Sequence, residues 1–162
     1  MITTLQVKSS LIFFPQTGQR FYLGPMQKVE HIGIAVKNLG VSVPLFEKLL
    51  GTACYKTETV AAESVQTAFF QTGETKLELL QTLDPDGVIG KFIERKGEGL
   101  HHLAFEVADI QKEMERLKGE GFELLSESPR PGADNKMVCF LHPKGTGGVL
   151  IELVMERPTA PD

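Results

Sequence analysis

Gly97-Glu98-Gly99-Leu100-His101-His102-Leu103-Ala104-Phe105-Glu106-Val107 is the stretch on which the fold is read, because the chain has already written something similar at Val29-Glu30-His31-Ile32-Gly33-Ile34-Ala35-Val36. Setting His31 over His102 also sets Val36 over Val107, Thr67 over Val138, Phe69 over Phe140 and Gln71 over His142. A later pair, Leu77-Glu78-Leu79 and Ile151-Glu152-Leu153, matches at a slightly longer spacing, and the extra length falls in one turn, Gly73 to Lys76 in the first copy and Pro143 to Val149 in the second. Two copies of one unit therefore fill most of the chain, each opening with a histidine and closing with a glutamate. A unit this short does not bury its own apolar face, so the copies are expected to pack on each other as one body.

The whole chain sets the frame for that duplication. Its 162 residues suffice for one domain with a sizeable core. A net charge of -4 without clustered Lys and Arg speaks against a nucleic-acid partner. Cys54 and Cys139 lie in no CxxC spacing and read as reduced thiols of a cytoplasmic protein. No apolar run approaches the roughly 20 residues a bilayer crossing needs, so no membrane role is expected. Residues 1–25 read as an N-terminal extension outside the repeat, with Leu11-Ile12-Phe13-Phe14 too short for a secretory signal and Met26 a possible functional start. Residues 26–158 read as a single domain: module one 26–83, a connecting helix 84–98, and module two 99–158.

Within module one, residues 28 to 36 alternate as a strand, with Ile32, Ile34 and Val36 on one face and His31, Gly33 and Ala35 on the other. A helix is expected near Val43 to Leu50, with Pro44 in its first turn and Gly51 ending it. Strands follow near 53–60, 64–71 and 76–81. A connecting helix, Val88 to Lys96, carries Ile89, Phe92 and Ile93 on one side. Module two repeats the plan: a strand over 100–107, a helix capped by Asp109 with Ile110, Met114 and Leu117 as its buried stripe, and strands near 122–127, 136–142 and 149–155. Each unit is thus βαβββ, an α+β fold of eight strands.

His31, Glu78, His102 and Glu152 then share one description, each mid-strand on the face opposite the large aliphatics. Alone, a histidine beside small residues is usually a satisfied core group and a strand glutamate usually faces water. Packing alone gives no reason for the same polar pair to recur in register, however, so the four are expected to converge. Two imidazoles and two carboxylates suit a borderline divalent ion such as Co, Mn, Ni, Zn or Fe(II) rather than calcium. The Gly-rich turn Pro143 to Gly148 offers backbone N–H groups to an anion, with Lys144, Thr146 and Gly147 as candidate substrate contacts. Arg130 to Lys136 is a second candidate rim loop.

The segments KVEHIGIAVKNL, TKLELL, KGEGLHHLAFEV and FLHPKGTGGVLIEL resemble the vicinal oxygen chelate superfamily, the glyoxalase I-like metalloenzymes, and over about residues 28 to 156 its methylmalonyl-CoA epimerase family. The resemblance implies paired βαβββ modules forming an open, curved eight-stranded sheet of the glyoxalase/bleomycin resistance type around a metal ion, cobalt first among the candidates. His31, Glu78, His102 and Glu152 are the implied ligands, His101 falls on the core side as a structural or supporting group, and the homodimer that the resemblance implies would use the exposed stripe of the connecting helix. The implied reaction interconverts (R)- and (S)-methylmalonyl-CoA by removing the C2 proton, which leaves an enolate that needs a positive group at its oxygen. Inversion ideally takes two acid–base groups. Glu152 matches one family glutamate, whereas the place of the other is held by Thr67, leaving Glu78, a water, or one base for both faces. Glu63 would reach the site only through a strand shift of several residues. Rival readings are a lactoylglutathione lyase, an extradiol dioxygenase with three ligands, and a metal-free binding module; the second-half motifs and the four intact donors favour the epimerase.

Overall fold

In the computed structural model, residues 25–157 are described. The expected extension 1–25 thus lies outside the described residues except for its last member. The described elements run β1 (Met26–Val36), α1 (Leu39–Leu50), β2 (Lys56–Val60), a short 3-10 turn (Ala61–Glu63), β3 (Val65–Thr72), β4 (Thr75–Thr82), α2 (Val88–Lys96), β5 (Gly99–Val107), α3 (Ile110–Gly119), β6 (Arg130–Pro131), β7 (Lys136–Leu141), a second 3-10 turn (Pro143–Gly145) and β8 (Leu150–Glu156). All eight strands form one sheet in the order β2-β3-β4-β1-β5-β8-β7-β6. Each half reads outward from its own first strand, and the halves meet where β1 and β5 pair antiparallel. The pairs β1–β4 and β5–β8 are parallel, because a helix carries the chain across between β1 and β2 and between β5 and β6. This is the curved, mixed half-barrel of the glyoxalase/bleomycin resistance fold that the family resemblance implied, built from the two units that the duplicated pattern implied.

The sheet curls until its two edges meet by charge. Lys56 on β2 lies 2.9 Å from the Asp134 carboxylate between β6 and β7, the Asp134 N–H donates to Glu58 at 3.0 Å, and Arg130 on β6 lies 2.6 Å from Glu63. One face of the sheet is thereby closed into a cavity. The other is covered by helices: α3 buries Ile110, Met114 and Leu117 against Cys139, Leu141 and Leu153, and α1 covers Ala68, Phe70 and Leu79.

Several local expectations are corrected. The first helix starts at Leu39, capped by the Asn38 side chain on the Gly40 N–H at 2.7 Å, so Pro44 lies inside it rather than in its first turn. Pro44 is exposed, and the hydrogen bond it forgoes would end on the Gly40 carbonyl, itself at an exposed position. No strand forms over 122–127. A single bridge, Leu124 to Leu141, remains, and the edge strand is the two-residue β6 instead. Pro129 and Pro131 lack the N–H groups that a longer ladder would need. In β1 the His31, Gly33 and Ala35 face is the more buried one, while Ile32 and Ile34 are half-buried, Ile34 against the cluster that α1 covers. The stripe of α2 is not free for a partner: Ile89, Phe92 and Ile93 pack inward on Ala35, Val65 and Leu80.

Candidate metal centre

The register of the two central strands explains why four polar side chains meet. Gly33 of β1 stands beside Glu78 of β4 and His102 of β5, and Ala104, at the matching place in module two, stands beside His31 of β1 and Glu152 of β8. Laterally paired residues project to the same face of a sheet, so all four side chains point into the cavity above the two small residues. Gly33 has to be glycine. A Cβ there would lie 2.2 Å from Cε1 and 2.4 Å from Nδ1 of the His102 ring.

The four donors come together closely. His31 Nε2 lies 2.9 Å from His102 Nε2, 3.0 Å from Glu152 and 3.2 Å from Glu78. His102 Nε2 lies 3.1 Å from Glu152 and 3.7 Å from Glu78. His31, His102 and Glu152 each offer one ligand atom within 4.8 Å of the other two. All four residues are buried.

Strict strand alternation misses the two residues that orient these rings. The β1–β5 register slips between Val29 and His31 and again between Gly33 and Ile34, which bulges out Glu30 on one strand and His101 on the other. Each bulged residue directly precedes a histidine and is turned back onto it. Glu30 lies 2.6 Å from His31 Nδ1, and His101 Nδ1 lies 2.9 Å from His102 Nδ1. Both outer ring nitrogens are therefore engaged and both Nε2 atoms aim at the shared centre, the arrangement that fixes tautomer and ring orientation in metal-ligating histidines. Glu30 is itself held by Lys76, which reaches on to Asp134 at 2.6 Å. The bulge turns His101 away from the core side on which it was expected, while its contact with His102 agrees with the supporting role expected of it.

The electrostatics follow from that crowding. Burial works against charge on His31, yet Glu78, Glu152 and Glu30 outweigh it and raise its pKa well above the ordinary imidazole value. Glu152 is buried too, but His102 and His31 hold its carboxyl down at about 2. Burial and the neighbouring His102 push His101 down to about 4, which leaves it neutral near pH 7. The donor chemistry fits a borderline divalent ion: two imidazole nitrogens and two carboxylates, oriented from behind, around one point.

Around the donors the cavity is narrow, about 30 Å³, and is walled by Thr67, Phe69, Lys76 and Phe140. A neighbouring pocket of about 380 Å³ shares His102, Phe140 and Glu63 with it. Thr67 is fully buried with its hydroxyl 3.4 Å from the Glu58 carbonyl, so it supplies no proton-moving group. Of the Gly-rich turn, Lys144 borders a further cleft beside His101 and Leu150, while the Thr146 hydroxyl turns back to the Pro143 carbonyl at 3.2 Å and Gly147 takes a left-handed backbone at φ 67°. The turn is thus not brought to the four donors. Glu63 is, and without any strand shift: the 3-10 turn before β3, closed by Ser64 at φ 52°, swings it onto the cavity wall.

Residues 30–140 match the family described as the glyoxalase/bleomycin resistance protein/dioxygenase superfamily. The chain is 40% identical over 128 residues to the uncharacterised protein YqjC of Bacillus subtilis, covering 79% of this chain and 91% of that one. It is 36% identical over 138 residues to the mitochondrial methylmalonyl-CoA epimerase of Homo sapiens, covering 85% and 77%. Its structure is similar to that of a Streptomyces coelicolor methylmalonyl-CoA epimerase variant in complex with 2-nitronate-propionyl-CoA, at TM-score 0.77 and 32% identity, covering 82% of this chain and 99% of that one. With a duplicated half-barrel, a convergent pair of histidines and glutamates, and these relatives, the chain belongs to the methylmalonyl-CoA epimerase family of the glyoxalase/bleomycin resistance protein/dioxygenase superfamily.

Proposed function

We propose that this protein interconverts (R)- and (S)-methylmalonyl-CoA with a divalent metal ion held by His31, Glu78, His102 and Glu152. The observation that carries the reading is the convergence of those four buried donors, with both imidazoles oriented from behind by Glu30 and His101. A divalent ion bound there, cobalt first by family resemblance with Mn, Ni and Zn as alternatives, would supply the positive charge that the thioester oxygen needs as C2 loses its proton. In this reading Glu152 takes that proton, and Glu78 shares the same centre. The apolar walls, Phe69 and Phe140 among them, keep water from competing for it. Lys144, Thr146 and Gly147 remain candidates for contacts to the acyl-CoA outside the narrow cavity.

A cytoplasmic homodimer belongs to the same reading. The apolar face of α1 that stands in solvent, Val41, Leu45 and Leu49, is where the second copy would be sought, and equilibrium sedimentation reads it directly. The activity is tested by incubating metal-loaded protein with methylmalonyl-CoA labelled at C2 and following loss of label to water together with interconversion of the epimers. If the label stays in place while a glutathione hemithioacetal is isomerised, the lyase reading replaces this one.

A further inference from the structure

Inverting C2 takes a proton from one side and returns it to the other, and the place where the family resemblance puts the second carboxylate is held by the buried Thr67. Five carboxylates wall the space around the four donors: Glu30, Glu63, Glu78, Asp134 and Glu152. Four are committed. Glu78 and Glu152 face the imidazoles, Glu30 is bound to His31 and Lys76, and Asp134 is bound to Lys56 and Lys76. Glu63 is held by Arg130 through one oxygen only, Oε1, and it also borders the adjoining 380 Å³ pocket, the larger of the two spaces and the one with room for substrate.

We propose that Glu63 is the second acid–base group, working on the face of C2 opposite Glu152. This rests on the epimerase reading and names the residue that reading lacks. The two carboxylates come from different modules and different walls, Glu152 from β8 and Glu63 from the turn between β2 and β3. That turn is anchored rather than loose, since the Leu83 N–H at the end of β4 donates to the Ser64 carbonyl at 2.7 Å. Arg130 donates to Oε1 of Glu63 at 2.6 Å and lies over the Phe140 ring, whose edge meets His102. Among the described residues no hydrogen bond reaches the other oxygen, Oε2, which is free to meet a C2 proton. Burial raises the Glu63 pKa against the opposing pull of Arg130, which suits a group that must hold a proton as well as accept one.

The step balances without any further reactant. The C2–H bond breaks as its proton passes to the Glu152 carboxylate, and a protonated Glu63 then gives its proton to the opposite face, forming the new C–H bond and leaving a carboxylate. Solvent restores both groups, and in the reverse direction they exchange roles.

Glu63→Gln separates the two faces in deuterated water. Interconversion should fall by roughly 100-fold or more, the usual loss for a missing general acid or base. The epimer that presents its proton to Glu152 should still exchange it for deuterium without inverting, at a rate near that of the unaltered enzyme. The other epimer should lose exchange. Glu63→Asp, which keeps the carboxylate, should recover part of the interconversion, and metal affinity should be unchanged in both variants. Interconversion within threefold of the unaltered enzyme, or a parallel fall in exchange and interconversion for both epimers, would overturn the assignment. An unaltered, metal-loaded protein inert toward both epimers would overturn the epimerase reading with it, and is told apart because no variant is needed to see it.

Discussion

Replacing Gly33 by alanine tests the site through one methyl group. The added Cβ would lie 2.2, 2.4 and 2.6 Å from Cε1, Nδ1 and Nε2 of His102, where carbon atoms in ordinary contact stand about 3.5–4.0 Å apart. The ring must therefore retreat by about 1.5 Å. Metal–ligand distances tolerate only about 0.2 Å, so a shift of that size removes His102 as a donor. The backbone would otherwise gain from the change, since alanine in a strand interior is favoured over glycine by roughly 0.5–1 kcal/mol. Overpacking costs about 1–3 kcal/mol, so the net loss of stability should be no more than about 2.5 kcal/mol. Titration calorimetry with Co(II) or Zn(II) should show affinity at least 100-fold weaker in Gly33→Ala, beyond the 10–100-fold that loss of a supporting contact brings, while the protein still melts cooperatively. Metal binding equal to that of the unaltered protein in a folded Gly33→Ala variant would refute the argument that the bare Gly33 backbone makes room for the ligand.

Glu30→Gln keeps the shape but weakens the hold on His31 Nδ1, and metal affinity measured by competition with a chelating dye should fall about 10–100-fold; an unchanged affinity contradicts the orienting role. Burial would raise the Asp134 pKa, but hydrogen bonds from Lys76 and Lys56 outweigh it and hold the group below its usual value. A carboxylate lowered in this way stabilises the fold above its unfolded pKa and loses that contribution as pH falls through its folded value. Asp134→Asn should therefore be less stable by about 1–2 kcal/mol from pH 5 to 8, with the gap closing below about pH 4 in urea titrations; a gap independent of pH would count against the clasp. Phe70→Ala, at a fully buried ring between α1 and the sheet, should cost about 3–5 kcal/mol by the same titration, and a loss below 1 kcal/mol would mean that this layer is not close-packed.

What could be read from the residues, and what could not, divides along physical lines. The duplication carried the topology, because a repeated β-period with matched histidines and glutamates leaves few ways to pair the copies. It also brought His31, Glu78, His102 and Glu152 to one cavity. The helix at Asp109 was legible from its cap and its apolar spacing, and the structure shows the Asp109 carboxylate accepting from the Lys112 N–H at 3.1 Å. Glu30 was hidden, and the face of His101 misassigned, because a bulge shifts register by one residue, and alternation counted along the strand then assigns the wrong face. Glu63 was hidden because its direction depends on the left-handed backbone at Ser64, a residue that gives no such warning. The β6 edge was hidden because its short pairing to β7 is settled by two prolines and by charge across the cavity rather than by any local alternation.

The central claim is that two modules aim two nitrogens and two carboxylates at one cation. Diffraction from crystals grown with Co(II), collected at the cobalt edge, tests it most directly. The account predicts one strong anomalous peak about 2.0–2.2 Å from Nε2 of His31, Nε2 of His102 and a carboxylate oxygen of Glu78 and of Glu152. A peak elsewhere, or an ion touching only one module, would contradict it.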